Sequence, residues 1–165
     1  MAVTAYIARV RAAAADPSDI DLGMQVPMGD EKQSGALQQE EALTFLKSIY
    51  QPLKRHYHWF RRTQRGQIKQ YGRQARSRTE AYRWRGRSET HVLTSGMDDY
   101  PRGPPHAGEL HLDLMSWMAF FTGTMRDIAG FIGETDDELS YLEIEKSILD
   151  NLEGNDIVVS DHILF

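Results

Sequence analysis

One segment constrains the fold more than any other: residues 109–132 are apolar around most of a helical circumference. The apolar side chains recur every three or four residues, at Leu110, Leu114, Trp117, Met118, Phe121, Met125, Ile128 and Ile132. This is the period of an α-helix, and a helix that is apolar on most sides has to be covered by other elements. The pattern therefore predicts a buried helix with other helices packed around it.

Two helices are predicted before that segment. Residues 2–14 are rich in alanine and place apolar side chains at helical spacing, which favours a short amphipathic helix. From Glu40 to about Arg62 a second apolar stripe steps by three or four residues, and Pro52 inside it predicts a bend. The stretch 16–39 mixes glycine, proline and acids without a period, so we expect a loop or linker there.

A further helix is predicted after the buried one. Thr135 and Glu138 have the spacing of a capping box, and Gly154 can end the helix that it opens. Four leucines of this helix face one way: Leu139, Leu142, Leu149 and Leu152. The fold class is therefore mostly α, with about four helices in a helical array. The last residues, 155–165, show no helical period.

The charges of the chain are segregated. Residues 47–87 carry thirteen Lys and Arg against the single Glu80, a formal charge of +12, whereas the other residues together carry six against twenty-three, or −17. Aromatic side chains interleave with the basic ones, as in proteins that bind single-stranded nucleic acid. A nucleic-acid-binding module using residues 54–87 is therefore an alternative function. The alternatives are neutralisation by acids elsewhere in the folded chain and a solvated charged face, which is the more frequent explanation of such a charge run. Residues 63–90 are expected to be extended or an ordered loop, because Tyr82 and Trp84 alternate with arginines.

Composition and motifs exclude several classes of protein. The chain has no cysteine, which excludes disulfides, thiolate metal sites and cysteine nucleophiles and leaves the compartment undetermined. No apolar run is long enough for a membrane span or a secretory signal, so we expect a soluble chain as written. The GxSxG, Walker A and GxGxxG motifs do not occur, so serine-hydrolase and nucleotide-binding functions have no support.

The sequence does not favour a metal site. His106, His111 and Asp113 are close in sequence, but His106 lies in a proline-rich loop and the helix carries no H-x-x-x-H pair. A satisfied polar contact is the expected role of His111. We therefore expect neither a metal nor a cofactor.

The first candidate for chemistry is a pair of acids in that proline-rich loop. Prolines and glycines between Ser95 and Gly108 exclude regular structure, so Asp98 and Asp99 are predicted to lie on a stiff loop. Adjacency raises the proton affinity of one carboxyl group, and a carboxylic acid that stays protonated near neutral pH is what general-acid catalysis requires. The alternative is an ordinary polar surface turn, because turns select these same residue types.

The second candidate lies on the buried helix. Glu109 and Asp113 are four residues apart and are predicted to share one helix face, with Trp117 one turn further along. Like charges at this spacing do not stabilise an apolar helix, whereas carboxylates and an indole suit a sugar ligand. The alternative is placement in the first helical turn, where acids favour the helix dipole. The residues alone leave both interpretations open.

Three motifs of this region carry a resemblance to a known family. They are YRWRGR at 82–87, HVLTSGMDDYPRGPP at 91–105 and ELHLDLMSW at 109–117. Together they resemble the processing α-glucosidase I family, the mannosyl-oligosaccharide glucosidases of glycoside hydrolase family 63. Every fixed position of the family pattern SG-(L/M)-DDYPR followed by E-x-H-x-D-L-x-x-W is present in order. The similarity extends upstream through residues 48–64 and covers roughly residues 40–130.

The resemblance implies a fold and an activity. The fold is an (α/α)6 toroid, of which this chain holds an incomplete ring. The activity is inverting hydrolysis of the terminal α-1,2-linked glucose on the glucosylated high-mannose precursor of N-glycans, in the endoplasmic reticulum. Neither a nucleic acid nor a cofactor is implied as a partner. A membrane is implied only through a segment absent from this chain.

The resemblance also implies roles for individual residues. Asp98, the first acid of DDYPR, is the expected general acid. The expected substrate-contacting residues are Tyr82, Trp84, Arg85, Arg87, Asp99, Tyr100, Arg102, Glu109, Asp113 and Trp117. An inverting glycosidase also needs a second carboxylate, about 6.5 to 9.5 Å from the acid, to activate water. In the family that general base lies beyond the matched region.

The sequence departs from the family at several positions. Leu110, Met115 and Ser116 stand where some relatives carry Arg, Arg and Cys, and the PPHAG stretch is slightly short. We expect residues 1–153 to form a partial glycosidase catalytic domain and residues 154–165 a divergent tail. The chain is therefore expected to be a fragment, inactive or nearly so on its own because the general base is missing.

Overall fold

The computed structural model shows a mostly α-helical chain. It describes Ile7 and residues 31–69, 75–77, 79–88, 93–95 and 106–153. Within these residues lie three α-helices: α1 (Glu31–Thr63), α2 (Leu112–Ile132) and α3 (Thr135–Glu153), with a 3-10 helix at Leu93–Ser95. The predicted fold class is confirmed. No helix among the described residues combines the length and the apolar character needed to cross a membrane.

The helices α2 and α3 form an antiparallel hairpin. Only Gly133 and Glu134 separate them, and so short a connection places consecutive helices side by side. Gly133 ends α2 in the left-handed conformation, with φ of 87°. A residue with a Cβ is strained there, and glycine is therefore suited to this helix end.

The three helices meet around Tyr57 of α1. Its hydroxyl shares a 3.0 Å hydrogen bond with the Thr122 hydroxyl of α2. The rings of Phe121 and Tyr141 contact the Tyr57 ring edge-on, each with centroids 5.2 Å away. Burial raises the pKa of Tyr57 to about 12. This tyrosine therefore stays neutral at physiological pH and serves as a packing and hydrogen-bonding element.

The start of α1 differs from the prediction. The helix begins at Glu31, whereas the sequence predicted loop up to about residue 39. Residues 31–39 lack an apolar period, but they consist mostly of strong helix formers such as Glu, Lys, Gln, Ala and Leu. Gly35 costs only about 1 kcal/mol in such a run. The predicted helix 2–14 lies outside the described residues except for Ile7, which is helical and buried.

The starts of the other helices differ as well. The helix α2 begins at Leu112 rather than at Glu109, and His111, with extended φ and ψ of −113° and 119°, precedes it. Thr135 is the first residue of α3 and not the residue before it, so the predicted capping box is misplaced by one position.

The buried face of α3 is not the one that most of its leucines occupy. Leu139, Leu142 and Leu149 are 56%, 48% and 43% exposed, whereas Tyr141 and Ile148 are buried. A tyrosine and an isoleucine at helical spacing fill the core instead, because α3 carries apolar residues on both faces. Leu139, Leu142 and Leu149 therefore face outward, and the exception is Leu152, which is partly buried and packs against the core. The prediction that all four leucines face one way is wrong.

The segment between α1 and α2 folds back along the end of α1. Residues 79–88 contain no helix, and Tyr82 forms an isolated antiparallel bridge with Arg65. Backbone hydrogen bonds of 2.7 Å, from Gly66 N–H to the Ala81 carbonyl, and 2.8 Å, from Arg83 N–H to the Gln64 carbonyl, hold it there. The prediction of an extended segment or ordered loop over residues 63–90 agrees with this geometry, since the described residues from 64 to 88 contain no helix.

Candidate functional site

The extended segment 79–88 is anchored by a buried carboxylate, Glu80, which is 1% exposed. Arg61 of α1 donates two hydrogen bonds to it, of 2.5 Å and 3.1 Å. The Tyr82 hydroxyl donates a further one, and Arg65 lies 3.7 Å away. Burial alone would raise the pKa of Glu80, but the hydrogen bonds and charges of these neighbours outweigh it and hold the pKa below its usual value. Glu80 is therefore an anion that fixes the segment to α1.

A buried asparagine fixes the same segment to α3. Asn151 is 1% exposed. Its side-chain amide donates 2.9 Å hydrogen bonds to the carbonyls of Ser77 and Glu80 and accepts one of 2.8 Å from Ser77 N–H. One side chain thus satisfies three backbone groups at and just before the start of this segment, two of Ser77 and one of Glu80.

Gly66 allows the closest approach in this region. A Cβ at this position would lie 2.3 Å from the Leu110 side chain and 3.3 Å from the Ala81 carbonyl oxygen. Leu110 itself is buried, in the stretch that leads into α2. The glycine therefore lets three separate parts of the chain pack together beneath the site.

A buried ion pair holds the C-terminal end of the segment, at Arg87, against Glu109. The side chains of Arg87 and Glu109 are 3% and 9% exposed, with Arg87 Nη1 2.7 Å from Glu109 Oε2. The other carboxylate oxygen, Oε1, accepts a 2.8 Å hydrogen bond from His106 N–H. Glu109 therefore precedes α2 and does not share a helix face with Asp113, so that prediction is wrong. Its hydrogen bond to the preceding turn competes with helix formation at this point.

His111 connects this ion pair to the neighbouring chain. Its backbone N–H donates to the Tyr82 carbonyl at 3.0 Å, and its Nδ1 accepts the Trp84 backbone N–H at 2.8 Å. Because Nδ1 is an acceptor, the proton of the neutral ring is assigned to Nε2, which lies 3.4 Å from Glu109 Oε2. The expectation of a satisfied polar contact for His111 agrees with this geometry.

Trp84 and Asp113 lie nearer the surface than the buried Arg87, Glu109 and His111 side chains. The indole N–H of Trp84 donates a 2.9 Å hydrogen bond to Asp113 Oδ2, and both side chains are half-buried. Asp113 lies in the first turn of α2, where the helix dipole favours a negative charge. Phe60 of α1 contacts the Trp84 ring edge-on at 6.4 Å. The indole is therefore held at its nitrogen and on its apolar side.

The remaining predicted sugar-contacting residues lie in different surroundings. Trp117 is 59% exposed, four residues after Asp113 and so on the same side of α2. Arg85 is exposed and donates a 3.0 Å hydrogen bond to the Arg65 carbonyl. Tyr82 is fully buried, and its hydroxyl bonds to Glu80. The structure thus brings Trp84 and Asp113 together, with the exposed Trp117 one helical turn after Asp113, and it leaves Tyr82 buried.

The paired acids and two of their neighbours lie outside the described residues. Asp98, Asp99, Tyr100 and Arg102 belong to this group, so their assigned roles stay predictions. The described residues nearest this region are Ser95 before it and His106 after it, and Arg87 lies further upstream. Both Arg87 and His106 contact Glu109.

Two other predictions bear on the basic side chains and on metals. Several arginines of the basic segment are paired internally: Arg61 and Arg65 with Glu80, and Arg87 with Glu109. The buried Arg87–Glu109 pair agrees with neutralisation by an acid outside the basic segment, whereas Glu80 lies inside the segment and Arg65 stays partly exposed. In the described part of the chain, no group of three or more His, Cys, Asp or Glu side chains is placed to hold a metal ion.

Sequence reasoning assigned no role to Glu80, Arg61 or Asn151, although one signal for the first was visible. Glu80 is the single acid among thirteen basic residues, and a lone acid in such a run is a candidate for an internal ion pair. Asn151 gave no signal, because an asparagine inside a helical pattern carries no information about a distant backbone.

Comparison with known proteins places the chain in a family. The sequence model described as "Glycosyl hydrolase family 63 C-terminal domain" matches residues 5–162. A probable mannosyl-oligosaccharide glucosidase of Schizosaccharomyces pombe is 46% identical over 117 residues, which are 70% of this chain and 14% of that protein.

Two further relatives carry the same name. A mannosyl-oligosaccharide glucosidase of Saccharomyces cerevisiae is 41% identical over 118 residues, covering 66% of this chain and 14% of that protein. One of Arabidopsis thaliana is 33% identical over 109 residues, covering 61% and 12%. The matched region thus spans only 12% to 14% of the length of these relatives.

The family match and the helical architecture lead to one conclusion. The family match includes the extended segment, the buried ion pair and all three helices. The antiparallel packing of α2 and α3 is what part of an α/α toroid supplies. The expected family is confirmed, and the chain belongs to glycosyl hydrolase family 63.

Proposed function

We propose that this chain forms the general-acid and sugar-contacting part of an α-glucosidase acting on a mannosyl oligosaccharide. The proposed reaction is inverting removal of the terminal α-1,2-linked glucose of the N-glycan precursor, in the endoplasmic reticulum. The names of the three relatives support an oligosaccharide substrate. The stereochemistry, the glycan and the compartment come from the resemblance.

The observation that carries the proposal is the pairing of Trp84 with Asp113. An indole fixed by a carboxylate, with the exposed indole of Trp117 on the same side of α2, combines the two group types that suit a sugar. Carboxylate oxygens accept hydrogen bonds from hydroxyl groups, and aromatic faces cover apolar C–H surfaces. In sequence, Asp98 lies between Arg87 and His106, and both of these residues contact Glu109.

The proposed chemistry assigns proton donation to Asp98. Protonation of the departing glycosidic oxygen by this carboxyl group would be the acid half of an inverting mechanism. The other half, activation of water, needs a second carboxylate that the family places beyond the region matched here. We therefore propose that the isolated chain binds the glucose terminus and does not turn the substrate over.

Binding is tested by titrating the full 165-residue chain with a glucose disaccharide joined by an α-1,2 bond. Saturable binding is expected, and Trp117→Ala is expected to weaken it about fivefold. Trp59→Ala is the matched control, since Trp59 is a comparably exposed tryptophan, at 47%, on α1. Absence of disaccharide binding, or equal effects of the two changes, would contradict the proposal.

Turnover is tested separately on a glucosylated high-mannose glycan, by measuring released glucose. Little or no release is expected from the chain alone. Robust release that Asp98→Asn abolishes would disprove the missing-base argument. Robust release that Asp98→Asn leaves unchanged would remove Asp98 from the mechanism.

A further inference from the structure

We infer that His111 is a positioning residue for the site: it holds the Trp84 backbone so that the indole meets Asp113. The inference rests on the proposed sugar-binding function of Trp84 and Asp113. Neither the family resemblance nor the names of the relatives assign a role to this histidine.

Trp84 is held at two points by residues two positions apart in sequence. Its backbone N–H donates to His111 Nδ1 at 2.8 Å, and its indole N–H donates to Asp113 Oδ2 at 2.9 Å. The first contact fixes the main chain and the second fixes the ring. The indole direction therefore depends on the imidazole as well as on the carboxylate.

The imidazole is itself fixed by buried charges. The His111 side chain is 4% exposed, with Nε2 3.4 Å from Glu109 Oε2. Arg87 Nη1 lies 2.7 Å from the same carboxylate oxygen. It also lies 3.3 Å from His111 Nε2, but this contact is not a hydrogen bond when Nε2 carries the proton, because both groups are then donors. The negative charge of Glu109 favours the proton on Nε2, which leaves Nδ1 as the acceptor that Trp84 requires. Glu109 and Arg87 thus act behind the sugar-contacting surface and not on it.

Two substitutions of His111 test the roles of its two ring nitrogens separately. In His111→Asn, the short side chain keeps an acceptor near the position of Nδ1, whereas in His111→Gln the longer one reaches the position of Nε2 and loses that acceptor. The readout is the indole N–H signal of Trp84 in a proton–nitrogen NMR spectrum. The chain has only three tryptophans, and Trp84→Phe assigns the signal.

The expected result is that His111→Asn leaves the Trp84 signal in place and that His111→Gln shifts it. Disaccharide affinity should fall about tenfold in His111→Gln, as expected for loss of one well-made hydrogen bond. It should change less than about twofold in His111→Asn. His56→Gln is the control, because His56 is exposed on α1 and stacks on Trp59. It should leave the Trp84 signal unchanged.

Three results would overturn the inference. The first is that both His111 variants shift the Trp84 signal equally, and the second is that neither shifts it. The third needs no substitution: nitrogen NMR of the unaltered chain showing the proton of neutral His111 on Nδ1. If the indole signals behave as expected but the unaltered chain binds no disaccharide, the placement of Trp84 stands and the proposed function fails.

Discussion

Replacing Glu80 by glutamine tests the anchor on which the site rests. The change keeps the size of the side chain and removes its charge. Arg61 then loses an ionic partner with hydrogen bonds of 2.5 Å and 3.1 Å, and Arg65 loses one at 3.7 Å. Breaking a buried ion pair by removing one partner costs about 3 to 5 kcal/mol. The side chains of Arg61 and Arg65 are 25% and 43% exposed. Because water can solvate them, we expect the lower end, about 3 kcal/mol.

The pH dependence of this loss has a defined sign. The pKa of folded Glu80 lies below its ordinary value of 4.5, so the folded chain releases the proton at lower pH than the unfolded chain does. The stabilisation is therefore complete above pH 4.5 and disappears as the pH falls through the folded pKa. The difference between the parent chain and Glu80→Gln should shrink below that pH, because protonated Glu80 is also neutral.

Urea unfolding followed by circular dichroism, at constant ionic strength from pH 7 to pH 3, measures this difference. Glu143→Gln is the control, since Glu143 is an exposed acid on α3 and its loss should change stability by less than about 0.5 kcal/mol. A Glu80→Gln cost below about 1 kcal/mol at pH 7 would show that the charge of Glu80 does not anchor the segment. So would a cost that is the same at pH 7 and pH 3.

Two further predictions concern the same anchored segment. Asn151→Ala should destabilise the chain by about 3 kcal/mol in urea unfolding, because the Ser77 and Glu80 backbone groups lose three hydrogen bonds. A loss below about 1 kcal/mol would contradict the proposed role of Asn151 in holding Ser77 and Glu80. Gly66→Ala should cost about 1 to 3 kcal/mol in thermal unfolding, since its Cβ would lie 2.3 Å from Leu110. In the double variant with Leu110→Ala this clash disappears, so additive losses in a double-mutant cycle would disprove it.

The sequence predicted helices well where period and helix ends agree. The apolar period identified most of Leu112–Ile132, and a period together with Gly154 after its end identified Thr135–Glu153. It failed where a helix lacks an apolar stripe, as in residues 31–39 of α1. It also failed to choose between the two apolar faces of α3, because periodicity reports spacing and not which face finds a partner.

The candidate site was predictable only in part, for a similar reason. The spacing of Asp113 and Trp117 placed them correctly on one side of α2. The partners of Glu109 could not be predicted, because Arg87 lies on a different segment and only the tertiary fold brings the two together. Glu109 lies outside the helix because its carboxylate accepts a hydrogen bond from His106 N–H and because the backbone of His111 is extended.

The hydrogen bond from Trp84 to His111 joins residues that are 27 positions apart, and the DDYPR acids lie in the interval between them. Bringing the ends of so long an interval together costs on the order of 3 kcal/mol of chain entropy. The buried imidazole and the Arg87–Glu109 ion pair compensate for this entropy cost. Contacts within the interval are therefore not needed to hold its ends together. Doubling its length would add only about 0.6 kcal/mol. A change in the length of the acid-bearing interval should therefore cost little stability as long as the contacts of Trp84, Arg87, Glu109 and His111 are kept.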